Sequence, residues 1–215
     1  MALKVNEIFH SIQGESSHSG YPCVFVRLTG CNLRCSYCDT RYAYDEGEEL
    51  EIEEILNRIK SFQCRLVEVT GGEPLLQIDT PRLIHNLLED SFTVLLETNG
   101  SIDISPVDSR CIRIVDIKCP ASGEAENNDI QNFDRLTAND ELKFVIGNRT
   151  DYEYAKDVLE LLNNKAIVVR HIHFSPIFGE ITPEQLASWI LEDHLPVRLS
   201  LQIHKIIWDP ERRGV

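Results

Sequence analysis

Seven apolar runs, each strand-length and none long enough to cross a membrane, limit what this chain can fold into. They are "CVFVRLTG" (23–30), "RLVEVTG" (65–71), "TVLLETN" (93–99), "CIRIVDIK" (111–118), "ELKFVIG" (141–147), "AIVVRHIHFSP" (166–176) and "VRLSLQIH" (197–204). Several are nearly continuous and rich in β-branched residues, the pattern of strands buried on both faces of a parallel sheet. Helical periods separate some of them. Ile52, Ile55, Leu56 and Ile59 form one stripe in 50–62, and Ala155, Val158, Leu159 and Leu162 another in 151–163. Thr80-Pro81 reads as the N-cap and first-turn proline of a helix that buries Leu83, Ile84, Leu87 and Leu88. Thr182-Pro183 opens the last helix, with Gln185 placed for a capping box.

Two connections lack such a period: 100–110, and the polar 119–140, whose "ASGEAENND" reads as a mobile loop. The expected fold is α/β: an incomplete, open β/α barrel of mostly parallel strands with some crossover helices missing. No linker or repeat divides residues 1–215, so we expect one domain. In such sheets the polar residues that follow the strands gather at one end, where active sites form.

The net charge is −14, and "PERRGV" is the one concentrated basic spot. Such a chain repels a phosphate backbone, which disfavours direct nucleic-acid binding and favours a metal, a cationic cofactor or a small molecule. "MALKVNEIFHSIQGE" carries no basic region followed by an apolar segment. We therefore expect a cytoplasmic protein with no membrane partner.

Seven cysteines in such a chain do not read as a disulfide framework. Cys23, Cys64, Cys111 and Cys119 are scattered and read as small buried hydrophobes. Cys31, Cys35 and Cys38 are clustered in "GCNLRCSYCDT". A structural zinc site is closed by four ligands, and an electron-transfer [4Fe–4S] cluster also takes four cysteines. Cys64, Cys111 or Cys119 could supply a fourth, though no local pattern nominates one. Three thiolates alone would leave one metal position open for a substrate or cofactor.

The CxxxCxxC spacing, with Tyr37 before the last cysteine, resembles the cluster loop of the radical S-adenosylmethionine enzymes. That resemblance implies a [4Fe–4S] cluster on Cys31, Cys35 and Cys38, whose fourth iron chelates S-adenosylmethionine, and one-electron cleavage to a 5′-deoxyadenosyl radical. No side chain is then needed as catalytic acid or base. It implies an electron donor such as flavodoxin or ferredoxin. It also implies cofactor contacts at Tyr37, Cys38 and Asp39, and at Gly71, Gly72 and Glu73 of "TGGEP". Looser matches put Asn99, Asp116, Ile117, Lys118, Ser175, Pro176, Ile177 and Phe178 on the same cofactor. From the residues alone, "TGGEP" is either a close backbone approach to a ligand or a tight strand-to-helix turn.

"SIQGESSHSGYPCVFVRLTGCNLRC", "CDT", "TGGEP", "ETNG" and "LQIHKIIW" together are similar to the 7-carboxy-7-deazaguanine synthases, from about Val5 to the C-terminus. The resemblance implies a radical ring contraction of 6-carboxytetrahydropterin with loss of ammonia, Mg²⁺ on Thr40, and a short N-terminal substrate-binding segment and C-terminal tail around the domain. It implies substrate contacts at Ile12, Gln13, Gly14, Glu15, Thr70 and Val215. Arg27 interrupts an apolar strand, so it needs an anion: the substrate carboxylate or an internal acid. Asp39-Thr40 could equally be a capped turn. His204 in "LQIHK" is placed on the last strand, where it could bond a pterin. His171 and His173 share a strand face but lack a third ligand, so we assign them no metal. An activating enzyme for a glycyl-radical protein, or a non-catalytic Fe–S or zinc module, are the alternatives. The exposed edge of an open barrel leads us to expect a homodimer.

Overall fold

The computed structural model describes residues 1–215. Nine strands form one sheet: β1 (Ala2–Ile12), β2 (Pro22–Leu28), β3 (Glu48–Glu51), β4 (Leu66–Gly71), β5 (Thr93–Thr98), β6 (Ile112–Ile117), β7 (Glu141–Ile146), β8 (His171–Pro176) and β9 (Arg198–Leu199). Their order is β3-β1-β2-β4-β5-β6-β7-β8-β9. Each neighbouring pair from β2 to β9 is parallel, while β1 runs antiparallel to both β2 and β3. The sheet does not close, so β3 and β9 are its edges. This is the expected open barrel.

The central parallel strands read as continuous apolar runs because they bury both faces. Along β2, Val24, Val26 and Leu28 face an outer core shared with α1 (Ile52–Ser61) and α2 (Thr80–Glu89). Cys23 and Phe25 face a smaller inner core with Leu66, Leu95, Ile112 and Ile114. A second outer core lies under α4 (Arg149–Asn164) and α5 (Pro183–Glu192), around Phe144, Tyr152 and Phe174. No helix is long and apolar enough to cross a membrane.

Several boundaries differ from expectation. The N-terminal strand β1 was not anticipated. It is half-buried and alternating, as antiparallel strands with one wet face are, and so carries no continuous apolar run. Strand β8 begins at His171 rather than 166. Strand β9 stops after two residues, both exposed, instead of running to 204. A very short edge strand resists edge-to-edge pairing, and the acidic "EELE" of β3 does the same at the other edge. Thr80 is not an N-cap: Asp79 takes that position, and the Thr80 hydroxyl donates to the Pro74 carbonyl at 2.6 Å. Thr182 does cap α5, accepting from the Gln185 amide at 3.1 Å.

The helix-poor connections are as expected, but 119–140 is a hydrogen-bonded structure rather than a free loop. It carries two single 3₁₀ turns and the short α3 (Asn132–Arg135). The buried Asn132 amide donates to the carbonyls of Gly100 and Ile102 at 3.0 and 2.8 Å and accepts from the Ile104 amide. It thereby ties the two helix-poor connections together.

One buried ion pair holds this side of the sheet. Asp140 precedes β7 and accepts from Arg113 Nε at 2.9 Å, with the two side chains 0% and 4% exposed. Replacing Arg113 by Ala leaves Asp140 buried and short of its counter-charge, at a cost of about 3–5 kcal/mol. We predict a loss of this size in urea unfolding of R113A, against a small loss for the exposed-pair variant R58A.

Candidate active site

A cavity of about 790 Å³ opens at the carboxyl ends of the parallel strands, where βα architectures collect their chemistry. It is large enough for two drug-sized ligands side by side. All three clustered cysteines line it, on the loop after β2, and all are free thiols and half-buried. The loop is braced from the far side of the sheet. Ser36 donates from its amide to the Ser122 carbonyl at 3.0 Å and from its hydroxyl to Ala121 at 2.7 Å, and the Arg34 amide donates to Glu124 at 2.7 Å. Thus the polar 119–124 segment positions the cysteine loop, which its sequence alone did not reveal.

The thiols fit a cluster better than a single ion. No three His, Cys, Asp or Glu side chains converge where one metal ion could be held. An iron–sulfur cube takes its thiolates at separate corners, further apart than the ligands of one ion. Burial pushes the Cys31 and Cys35 thiols up, and the Lys118 ammonium opposes this. Iron binding would remove those protons. The Cys31 sulfur already accepts from the Leu33 amide at 3.4 Å, with Asn99 Nδ2 at 3.9 Å. Such hydrogen bonds orient a metal-binding sulfur.

The "TGGEP" segment divides in two. Gly71 and Gly72 line the cavity; a Cβ on Gly72 would overlap the Gly30 carbonyl, so the turn must pass the cysteine loop bare. Glu73 does not reach the cavity, contrary to expectation. It is 0% exposed, and its carboxylate accepts from the Leu75 amide at 2.9 Å, the Thr98 hydroxyl at 2.9 Å and the Asn99 amide at 2.7 Å. Every strong acceptor direction is used internally, leaving Glu73 to position Asn99 and the glycine turn.

Further along the rim, Asn99, Asp116, Lys118 and Ser175 line the cavity, as do Pro176, Ile177 and Phe178. Asp116 and Lys118 form a buried ion pair at 2.7 Å, which leaves Asp116 Oδ1 with no partner; the buried Tyr37 hydroxyl also has none. Orphan polar atoms on a cavity wall are what a polar ligand satisfies. Ile117 is the exception in this group. Its side chain points away into the outer core, because alternation along β6 turns it opposite to Asp116.

The inner wall is charged. Lys143 pairs with Glu15 and, at 2.8 Å, with Glu97; Glu68 lies beside them. Burial would lower the Lys143 pKa, but Glu15 and Glu97 outweigh it and hold the ammonium charged. Burial, then Glu97 and Glu15, push the Glu68 carboxyl well up. Gln13 was expected to meet a ligand with its amide. Instead its Nε2 donates to Glu68, while its oxygen accepts from the Glu15 amide at 2.6 Å. Gln13 therefore lines the cavity with its amide already engaged, and Glu15 faces it with Gln202 on its second oxygen at 2.7 Å.

Arg27 lines the cavity with Thr70 and Ile12. It satisfies both readings of a buried arginine: Nε donates to Glu7 at 2.8 Å, and the remaining guanidinium nitrogens are uncommitted. Thr40 donates to Asp39 at 3.0 Å, and Asp39 pairs with Lys205 at 2.7 Å. Burial would raise Asp39, but Lys205 prevails and pulls it down to about 2. His204 is not on a strand. It opens the short α6 (His204–Ile207) and enters the cavity because a Cβ on Gly14 would overlap its ring. Gly14 thus makes room for His204. Val215 and the tail from Pro210 also line the cavity.

Lys143 and Glu68 escaped the sequence reading. The signal that found Arg27, a charge interrupting an apolar strand, is present in "ELKFVIG" and "RLVEVTG" as well. Burial pushes the His204 pKa below its ordinary 6.5 despite Glu15. The unfolded chain therefore takes that proton first. His204 contributes stability that is complete above about pH 6.5 and declines as pH falls below it. Urea unfolding from pH 7.5 to 5.5 should show a shallower pH slope in H204Q than in the unaltered chain.

The Radical SAM superfamily model matches residues 25–191. The chain is 46% identical over 220 residues to the 7-carboxy-7-deazaguanine synthase of Chlorobaculum tepidum, covering 99% of this chain and 97% of that protein. It is 44% identical to that of Koribacter versatilis, covering 99% and 100%. The crystal structure of QueE from Escherichia coli superposes with a TM-score of 0.79 at 24% identity, over 94% of each chain, which shows a shared fold. With its three-thiol loop at the mouth of an open β/α barrel, the chain belongs to the radical SAM superfamily and, within it, to the 7-carboxy-7-deazaguanine synthases.

Proposed function

We propose that the cavity contracts the ring of 6-carboxy-5,6,7,8-tetrahydropterin to 7-carboxy-7-deazaguanine, with loss of ammonia. The observation that carries this is the placement of three free thiols on the same cavity as Arg27, Glu15 and the Lys143 cluster. When bound, a [4Fe–4S] cluster on Cys31, Cys35 and Cys38 and S-adenosylmethionine supply the radical that takes a hydrogen atom from the pterin.

The chain's own residues bind and orient. The uncommitted nitrogens of Arg27 match the substrate carboxylate as a bidentate pair. Glu15 and Glu97 accept hydrogen bonds from the N–H groups of a pterin edge, and Lys143 pulls the Glu15 carboxyl down despite its burial. Gly71, Gly72, Asn99, Asp116 and Lys118 provide polar and backbone groups for the amino-acid and ribose parts of the cofactor. Asp39 and Thr40 offer oxygens for a Mg²⁺ that keeps several waters and takes substrate oxygens. His204, held neutral, hydrogen-bonds the pterin, and the tail ending at Val215 covers it. Burying the reacting centre excludes water from the radical step.

The reductant in this reading is a one-electron donor of the flavodoxin or ferredoxin type. The substrate is a small molecule rather than a nucleic acid, in keeping with the net charge of −14. Seven free thiols suit the reducing cytoplasm; the short β9 and acidic β3 edges do not by themselves support the homodimer expected of an open barrel.

Two measurements test the reading. Anaerobically reconstituted protein, given reductant, S-adenosylmethionine, Mg²⁺ and the pterin, should release 7-carboxy-7-deazaguanine, and C31A, C35A and C38A should each abolish product and the brown cluster absorbance. Full turnover in all three variants would end the proposal. R27K, which keeps the charge but loses the fork, should raise KM about 10- to 100-fold, the worth of a charge-assisted hydrogen bond, with cluster content unchanged. An unaltered KM would remove Arg27 from substrate binding.

A further inference from the structure

A second cavity, of about 250 Å³, lies behind the active-site wall and shares none of its lining residues. His173 on β8 and Arg198 on β9 are register partners, so their side chains leave the same face of the sheet. Both line this cavity, with the hydroxyl-bearing Ser16, Ser19 and Ser200.

Three observations point to an anion. His173 is 2% exposed, and its Nδ1 is buried with no partner. Its other nitrogen, Nε2, lies 2.8 Å from Glu141 Oε2. Burial would raise the Glu141 carboxyl, but hydrogen bonds from His173 and Ser17 pull it down to about 2. An ionised Glu141 makes Nε2 the donor and leaves Nδ1 as an acceptor facing the cavity. The exposed Arg198 enters no ion pair. On a chain of net charge −14, its unpaired guanidinium on the cavity that His173 lines forms a local positive field. A water molecule would satisfy His173 Nδ1 alone. A monoprotonated oxyanion would also engage Arg198 while its own O–H donates to Nδ1.

We propose that this cavity binds a small tetrahedral oxyanion of the phosphate class, held by Arg198, His173 Nδ1 and the serine hydroxyls. Its position gives it a structural consequence. Residues 13–19 and 200–204 form both walls at once: Gln13, Gly14, Glu15, Gln202 and His204 face the active-site cavity, while Ser16, Ser19, Ser200, Leu201 and Ile203 face this one. The Ile203 amide donates to Gly14 across them at 3.1 Å. An anion behind these strips braces the wall that carries Glu15 and His204.

The test uses the full chain and inorganic phosphate, titrated calorimetrically at constant ionic strength with chloride as balance. In parallel, the histidine side-chain nitrogens are followed by ¹⁵N NMR. Saturable 1:1 binding is expected, with the Nδ1 resonance of His173 shifting as it gains a hydrogen bond. R198Q should weaken binding about tenfold or more, as loss of a charge-assisted contact does, without altering the fold of this exposed site; H173N should do the same. Glycerol 3-phosphate in place of phosphate separates the sources: binding of the ester as well assigns the site to a phosphomonoester, and its exclusion to the free ion. No saturable binding at tens of millimolar phosphate, or equal affinity in R198Q, would overturn the assignment.

Discussion

The Glu73 carboxylate holds three strand ends in place. Its two oxygens collect the Leu75 amide, the Thr98 hydroxyl and the Asn99 amide, while its own amide donates to the Gly30 carbonyl at 2.7 Å. β2, β4 and β5 are thereby fixed at the one end where the chemistry collects. Burial pushes this carboxyl up, and the donors from Asn99, Leu75 and Thr98 resist that shift. A buried carboxylate is tolerated only with such a set. The cysteine loop, the glycine turn and Asn99 inherit their geometry from it.

Below that rim the interior changes from apolar to charged. Two residues along their strands, the inner-core Phe25, Leu66, Leu95 and Ile114 give way to Arg27, Glu68, Glu97 and Asp116, and Glu15 and Lys143 join them. Three carboxyl groups around one ammonium present more acceptor oxygens than donors, so the wall favours ligands rich in N–H donors. Arg27 and Lys118 supply the opposite sign elsewhere on the same cavity, with partners at Glu7 and Asp116. A substrate with an anionic carboxylate and a donor-rich ring meets both.

The connection 119–140 shows how polar composition misleads. Its Ser, Asn, Glu and Asp residues suggest a solvated loop. Instead Asn128 closes on the Lys118 backbone at 2.9 Å, Asn132 bridges to 100–104, and Ser122 and Glu124 hold the cysteine loop. Side chains of this type serve as internal hydrogen-bond partners for backbone that no helix or strand satisfies.

Local chemistry by itself determined the parallel open barrel, the four outer helices and the three-cysteine site, because burial on both strand faces and thiolate spacing are written in short windows. It also marked Arg27, a charge inside an apolar run. What only the tertiary structure decided were the partnerships of residues far apart in the chain. Gln13 and Glu73 proved to be internal braces, Ile117 turned into the core, and His204 entered the cavity from a short helix through the gap left by Gly14. The physical reason is that a side chain's role is set by which donors and charges meet it after folding, and Glu68 and Lys143 come from β4 and β7, with β5 and β6 between them.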